Sequence, residues 1–381
     1  MAGMYLHIPF CSKACHYCNF HFSTTHSLLP AMVAAMQQEL LLRKHYLPQG
    51  TTLNTIYFGG GTPSILNPAQ LLALLATIQQ HYNVAADAEI TLEANPDNIN
   101  ATQLQAWKNA GVNRLSIGIQ SFAEVDLQWM NRAHNATQAL DSIRLAQEAG
   151  FHNLTIDLIY GTPTLTDEQW LHNIHTAIAL NVPHISAYAL TVEPRTALDK
   201  MIEKGKVPAV DTAQQTNHFN LLMQALGEVG FEHYEISNWA KPSMRSKHNS
   251  SYWQGTPYWG IGPSAHSFNG TSRQWNIANN ALYIQALRQM EVPFEQEILT
   301  PTQQLNEYIM TALRTMEGIQ LQKIATWGTK ALEMLTLSAK KPIYSDKLIV
   351  SSDAIQLTAA GKHFADGIAA DLFFEDNNQL M

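Results

Sequence analysis

The stretch YLHIPFCSKACHYCNF, residues 5–20, holds every cysteine of the chain: Cys11, Cys15 and Cys18. Chance would put three cysteines of a 381-residue chain into one eight-residue window roughly once in a thousand sequences, so the clustering has a chemical cause. An odd number of thiols builds no disulfide framework, and a short local loop gains little from a disulfide. Three thiolates converging from one loop suit a metal site. Zinc would need a fourth ligand such as a nearby histidine. An iron–sulfur cubane would leave one iron open for a ligand from outside the chain. The apolar run Tyr5–Pro9 before the cysteines reads as a strand, so the thiols sit at a strand's C-terminal end.

The same pattern repeats downstream. Short apolar runs at 55–58, 89–93, 114–119, 154–159 and 185–190 alternate with helical periodicity at 28–45, 68–81, 101–110, 136–149, 166–180 and 212–229. Gly111, Gly150 and Gly230 follow three of those helices, where a left-handed C-cap is wanted. Six strand–helix repeats predict parallel strands with right-handed crossovers. The expected fold is α/β, a partial (β/α)6 barrel over residues 1–240 with extra strands. Polar residues fall at its C-terminal strand ends, where barrel enzymes build their sites. GGGTP (59–63) follows the second strand, Glu93 ends the third, Gln120 ends the fourth and Asp157 lies in the fifth.

Residues 241–290 are rich in glycine and aromatics and read as a looped extension completing the core, with 291–301 as a linker. Residues 300–381 read as helix, helix, hairpin and helix, a small winged-helix-like domain. That domain holds 7 Lys/Arg against 9 Asp/Glu, with no basic recognition face, so a packing or lid role is expected rather than DNA binding.

Composition bounds the rest. Hydrophobic residues are 46% of the chain, ample for a large core, which excludes wholesale disorder. The net charge of −8 argues against a nucleic-acid partner. No apolar run reaches membrane-spanning length, and the first ten residues do not read as a secretory signal. The expected protein is cytoplasmic, with peripheral membrane contact still compatible.

Three glycines at a strand end let a ligand approach the backbone closely, and no Gly-Lys-Ser/Thr follows to make a P-loop. Paired with the cysteine loop, this motif resembles the radical S-adenosylmethionine superfamily. There, three cysteines hold a 4Fe-4S cluster whose open iron binds S-adenosylmethionine, cleaved on one-electron reduction to a deoxyadenosyl radical. YFGGGTPS, LEANPDNI, LSIGIQSF, NRAHNA, IDLIYGTP, ISAYAL, HYEISNWA and HNSSYWQGTPYWGIGPSAHSF are similar, in that order, to the oxygen-independent coproporphyrinogen III oxidase (HemN)-like family. The resemblance covers nearly the whole chain, C-terminal domain included, and is strongest to the HemW branch.

The resemblance implies roles for named residues. Cys11, Cys15 and Cys18 match the cluster ligands. Tyr5 and Tyr17 match aromatic contacts to S-adenosylmethionine, and Gly60, Gly61 and Thr62 match backbone contacts to its methionine part. Glu93 matches the acceptor for its ribose hydroxyls, and Ala189 a further backbone contact. Gln120, Arg132 and Asp157 match contacts to a second S-adenosylmethionine in the oxidase; a structural Arg132–Asp157 ion pair is the alternative. His16 is expected to support the cluster's surroundings.

The oxidases of this family carry a further cysteine where this chain has Phe20, and an N-terminal extension where this chain begins almost at its first strand. Both departures are those of the HemW branch, which is regarded as binding haem and passing it to an acceptor protein. The implied function is therefore a haem chaperone. The alternative is a coproporphyrinogen oxidase-type enzyme of porphyrin biosynthesis. For the haem iron, His248 in HNSSYW is the first expectation and His266 in GPSAHSF the second. The acceptor is not legible.

Overall fold

The computed structural model describes residues 1–375. The repeating units run β1 (Ala2–Ile8), α1 (Leu29–Leu42), β2 (Thr52–Gly60), α2 (Pro68–His81), β3 (Asn83–Ala94), α3 (Ala101–Asn109) and β4 (Arg114–Gln120). A short α4 (Glu124–Trp129) precedes α5 (Ala136–Glu148), β5 (Leu154–Tyr160), α6 (Asp167–Ala179) and β6 (His184–Ala189). Then come α7 (Ala197–Glu203), α8 (Thr212–Glu228) and the hairpin β7 (Glu232–Glu235) and β8 (Asn238–Ala240). The six expected strands and six expected helices are all present. Asn67, Asn135 and Thr166 each close a capping box with a glutamine three residues on, which is why α2, α5 and α6 start where they do. Strands β1 to β6 pair in sequence order, all parallel. A core of buried aliphatic side chains, with Trp107, Trp170, Trp239 and Trp259 fully enclosed, lies between them and the outer helices.

The region after 240 is more regular than its sequence suggests. Helix α9 (Lys247–Trp253) precedes β9 (Tyr258–Ile261), which pairs parallel to β1 on the side away from β2. Strands β10 (His266–Phe268) and β11 (Ser272–Asn276), helix α10 (Asn280–Arg288) and β12 (Phe294–Ile298) follow. The sheet thus grows to twelve strands, ordered β12-β11-β10-β9-β1-β2-β3-β4-β5-β6-β8-β7. The expected linker at 291–301 is corrected here. Residues 294–298 form the edge strand, antiparallel to β11 from Asn276↔Phe294 to Ser272↔Ile298. Its Glu295 and Glu297 belong to an exposed edge, where charge discourages pairing with another chain and makes a strand read as a loop.

Glu39 ties this extension to the barrel. Its carboxylate is fully buried and accepts from Gly262 N (2.8 Å), Asn276 Nδ2 (2.7 Å), Tyr283 Oη (2.5 Å) and Arg43 Nη1 (3.3 Å). Arg43, also buried, donates onward to Gln274 Oε1 at 2.6 Å.

The C-terminal unit comprises α11 (Pro301–Leu313), β13 (Ile319–Gln320), α12 (Leu321–Ile324), α13 (Thr329–Ala339), β14 (Leu348–Val350), β15 (Ala354–Leu357) and α14 (Ala365–Asp371). Its three short strands pair in the order β13-β15-β14 around a separate apolar cluster. It docks on the barrel through Arg314, whose guanidinium meets buried Glu235 at 3.0 Å, and through the Arg245–Glu317 pair at 2.7 Å. Replacing Glu39 by alanine strands the Arg43 charge and several donors. Glu39→Ala is therefore expected to lose about 3–5 kcal/mol of stability. Urea unfolding followed by tryptophan fluorescence checks this; a midpoint equal to wild type would contradict the network.

Candidate functional site

The cysteine loop begins where β1 ends and is pinned on three sides. Cys11 N donates to Ser23 O (3.0 Å) and Ser23 N to Pro9 O (2.9 Å), which closes the loop's base. The segment after α4 grips its middle: Asn131 Nδ2 donates to Ala14 O (2.7 Å) and His16 N to Met130 O (3.2 Å). The His16 ring holds Trp129 O through Nδ1 at 2.9 Å, a supporting position. From α7, Leu198 N reaches His16 O at 2.8 Å. Across the seam, the glycine-rich loop continues alongside: Gly61 N donates to Ile8 O (3.0 Å) and Thr62 N to Phe10 O (2.7 Å). A Cβ on Gly61 would stand 2.6 Å from Phe10 O, and one on Gly60, at φ +109°, 2.7 Å from the His7 ring. Only glycine allows both approaches.

These loops and the other strand ends surround one cavity of about 960 Å³. Cys11, Cys15, Cys18, Tyr17, Gly60, Gly61, Thr62, Glu93, Gln120, Arg132, Asp157 and Ala189 all line it. Tyr5 does not. It lies behind Gly59, stacked on Tyr57 at 6.1 Å with its hydroxyl 3.1 Å from His7 Nδ1. Arg132 and Asp157 make no ion pair. Arg132 instead donates to Cys15 Sγ (3.3 Å), Asn95 Oδ1 (2.9 Å) and Gly118 O (2.8 Å). A cation is thus fixed beside the thiol whose anionic form a metal requires. Gln120 adopts φ +67°, a left-handed conformation uncommon outside glycine, at a break in the β4–β5 register. Such strain concentrates at binding sites.

Glu93 and Asp157 make the cavity floor acidic. Tyr57 Oη donates to Glu93 Oε1 at 2.8 Å. Burial, then the neighbouring Asp157, pushes Glu93 up to about 8. Burial raises Asp157 to about 6, against the pull of Arg114.

Among the described residues, no three His, Cys, Asp or Glu groups are placed to share a single ion. Three thiols on one loop, each able to bind a different iron, fit a cubane whose fourth iron stays open.

Comparison with known proteins agrees with this geometry. Residues 5–177 match the Radical SAM superfamily model. The chain superposes on "Coproporphyrinogen III oxidase (HemN) from Escherichia coli" with a TM-score of 0.85 at 24% identity, over 98% of this chain and 90% of that one. It is 34% identical over 368 residues to "Heme chaperone HemW" of Bacillus subtilis, covering 95% of this chain and 96% of the relative. The Mycobacterium tuberculosis protein of the same name is 33% identical, with 97% and 94% covered.

The chain belongs to the HemW family. As in other radical SAM proteins, its cofactors are a 4Fe-4S cluster and S-adenosylmethionine.

The two histidines expected as haem ligands lie outside the cavity lining. His248 is 1% exposed and lies away from the cavity. Its Nδ1 bonds Thr55 Oγ1 (2.7 Å), its Nε2 bonds Tyr252 Oη (2.9 Å), and its ring stacks on Tyr57 at 4.9 Å. Both nitrogens are hydrogen-bonded to side-chain hydroxyls. The HNSSYW segment forms α9, whose first amides, Lys247 N and His248 N, are held by the Glu89 carboxylate at 3.1 and 3.0 Å. This seats His248 as part of the buried support beneath Tyr57 and Glu93. His266 is exposed on β10, beside Trp275 and away from the cavity.

The C-terminal unit supplies what residue patterns did not indicate. Arg314 and residues 362–367 line the same cavity, facing Phe219 and Gln215 of α8. Docking, rather than any local motif, puts them there.

The raised Glu93 pKa has a definite sign. The native state holds this proton more tightly than the unfolded chain, so stability falls as pH rises from about 4.5 to about 8. Glu93→Gln is expected to raise the thermal midpoint of the cofactor-free protein at pH 8, with little effect near pH 5. An equal shift at both pH values would rule out a buried protonated Glu93.

Proposed function

We propose that this chain is a haem chaperone on a radical SAM scaffold, binding haem and passing it to an acceptor protein. The observation that carries the reading is full-length similarity to relatives named heme chaperones, at 33–34% identity with nearly all of each chain covered. The cavity supports it. Its volume lies at the upper end of the roughly 300–1,000 Å³ usual for small-molecule sites. Its walls come from two units, so a shift of the C-terminal unit would open or close it.

Cys11, Cys15 and Cys18 would hold the cluster, with Arg132 stabilising the Cys15 thiolate. When bound, the cluster supplies one-electron reducing power to S-adenosylmethionine. For that cofactor, the Gly60–Thr62 backbone offers a close polar edge. Glu93 offers Oε2, since Oε1 already accepts from Tyr57. Tyr17 offers an aromatic face, and Ala189 a backbone contact. Tyr5 acts behind this shell, through Gly59 and Tyr57. Gln120 and Asp157 line the deeper wall available to a second molecule. No helix among the described residues is long and apolar enough to cross a membrane, and the cytoplasm is the compartment we assign.

Anaerobic reconstitution is expected to load about four irons and four sulfides per chain, with Cys15→Ser losing most of the visible absorption. Titration of that protein with haem is expected to saturate at one haem per chain, followed by transfer to a haem-free acceptor. Coproporphyrinogen III should be left unchanged. Unsaturable haem binding with turnover of coproporphyrinogen would instead identify an oxidase.

A further inference from the structure

The two nitrogens of His248 have unlike surroundings. Nδ1 faces the barrel, 2.7 Å from Oγ1 of buried Thr55 on β2. The ring is fixed on that side: it stacks on Tyr57 at 4.9 Å, and the residue's own N–H is held by Glu89 at 3.0 Å. A Cβ on Gly3 of β1 would stand 3.3 Å from Cε1, so the neighbouring strand closes on the ring as well. Nε2 meets only the phenol of Tyr252, at 2.9 Å. Tyr252 is half-buried where His248 is 1% exposed, so the phenol stands between Nε2 and solvent. It belongs to the last turn of α9, just before exposed Gln254 and Gly255, and its ring meets Tyr258 edge-on at 4.7 Å. The histidine is thus held by the barrel, and the tyrosine is the partner with room to move.

The two hydroxyls also differ in chemistry. A neutral imidazole carries one N–H and one lone pair. A phenol is a stronger donor than an aliphatic hydroxyl, so Tyr252 Oη donates to Nε2 and Nδ1 donates to Thr55 Oγ1. A metal takes the lone pair of one ring nitrogen, and the hydrogen bond made by the other fixes which one that is. Here the available lone pair is on Nε2, and the phenol proton of Tyr252 occupies it.

We infer that Thr55 is a positioning residue that commits Nε2 of His248 to haem iron, and that Tyr252 is a gate whose phenol turns away before haem binds. This rests on the haem-chaperone reading and on His248 as the iron ligand; it adds how the binding nitrogen is chosen and covered. Opening releases no proton, because the phenol O–H exchanges Nε2 for water. The net cost is small for a hydroxyl already near solvent. Haem then sits apart from the cavity, which stays free for the cluster and S-adenosylmethionine.

The test uses cluster-loaded protein titrated anaerobically with haem, followed by the Soret band, stopped-flow association and electron paramagnetic resonance of the ferric form. Tyr252→Phe keeps the ring against Tyr258 and removes the competing proton. It is expected to bind haem faster and about tenfold more tightly. Thr55→Val removes the acceptor for Nδ1 at nearly constant shape. It is expected to weaken haem roughly 10–100-fold and to shift the ferric signal, with the cluster's iron content unchanged, and Thr55→Ser should restore both. Association by Tyr252→Phe at or below the wild-type rate would overturn the gate, whatever Thr55→Val does to folding. A wild-type ferric signal in Thr55→Val would overturn the positioning role. A His248→Ala protein spectrally identical to saturable wild type would remove the ligand and this inference with it, leaving the chaperone reading in place. Failure of the wild type to bind haem would remove the chaperone reading itself.

Discussion

The backbone seam between β1 and β2 carries the whole arrangement. Parallel pairing sets Ile8 opposite Gly60, and the seam continues past the strands through Gly61 N to Ile8 O and Thr62 N to Phe10 O. Two loops far apart in sequence are thereby held edge to edge, one presenting thiols and the other bare backbone. The close approach tolerates no side chain at Gly60 or Gly61. Strands β3 to β6 repeat the parallel pairing, and each delivers a residue from its C-terminal half to the same rim. Glu93, Gln120, Asp157 and Ala189 arrive together because β3 to β6 add in order.

Beneath that rim lies a chain of buried polar side chains, and the support extends outward in layers. Tyr57 holds Glu93, His248 stacks under Tyr57, and Thr55 and Tyr252 fix the His248 ring. Glu89 then anchors α9 by its first amides. On the flank, Glu39 performs a similar task for β9 to β11. Buried carboxylates of this kind stabilise only when every lone pair is used. That requirement explains why the extension after residue 240 is ordered despite its glycine-rich composition.

The C-terminal unit has its own apolar cluster, yet it is part of the site. Ion pairs from Arg314 and Arg245 fix its orientation, and residues 362–367 become a wall facing the barrel's polar rim. The cavity is therefore asymmetric. One side carries the three thiols, bare glycine backbone and two carboxylates; the other carries Lys362, His363 and Phe364.

The primary sequence by itself determined the repeat, the element types and most of the rim. Cys11, Cys15 and Cys18 with GGGTP, the capping residues and the apolar periods are local signals, and local hydrogen bonding and backbone sterics enforce them. It misread β12, because a charged edge strand has the composition of a linker. Nor did it show the surroundings of His248: HNSSYW forms α9, packed against Glu89, Thr55 and Tyr57 with both imidazole nitrogens hydrogen-bonded. Tertiary structure alone decided that Arg132 turns to Cys15 rather than to Asp157. It also decided that Lys362 and His363 face the cavity. Those placements depend on contacts between residues more than a hundred positions apart, and such contacts leave no periodic trace along the chain.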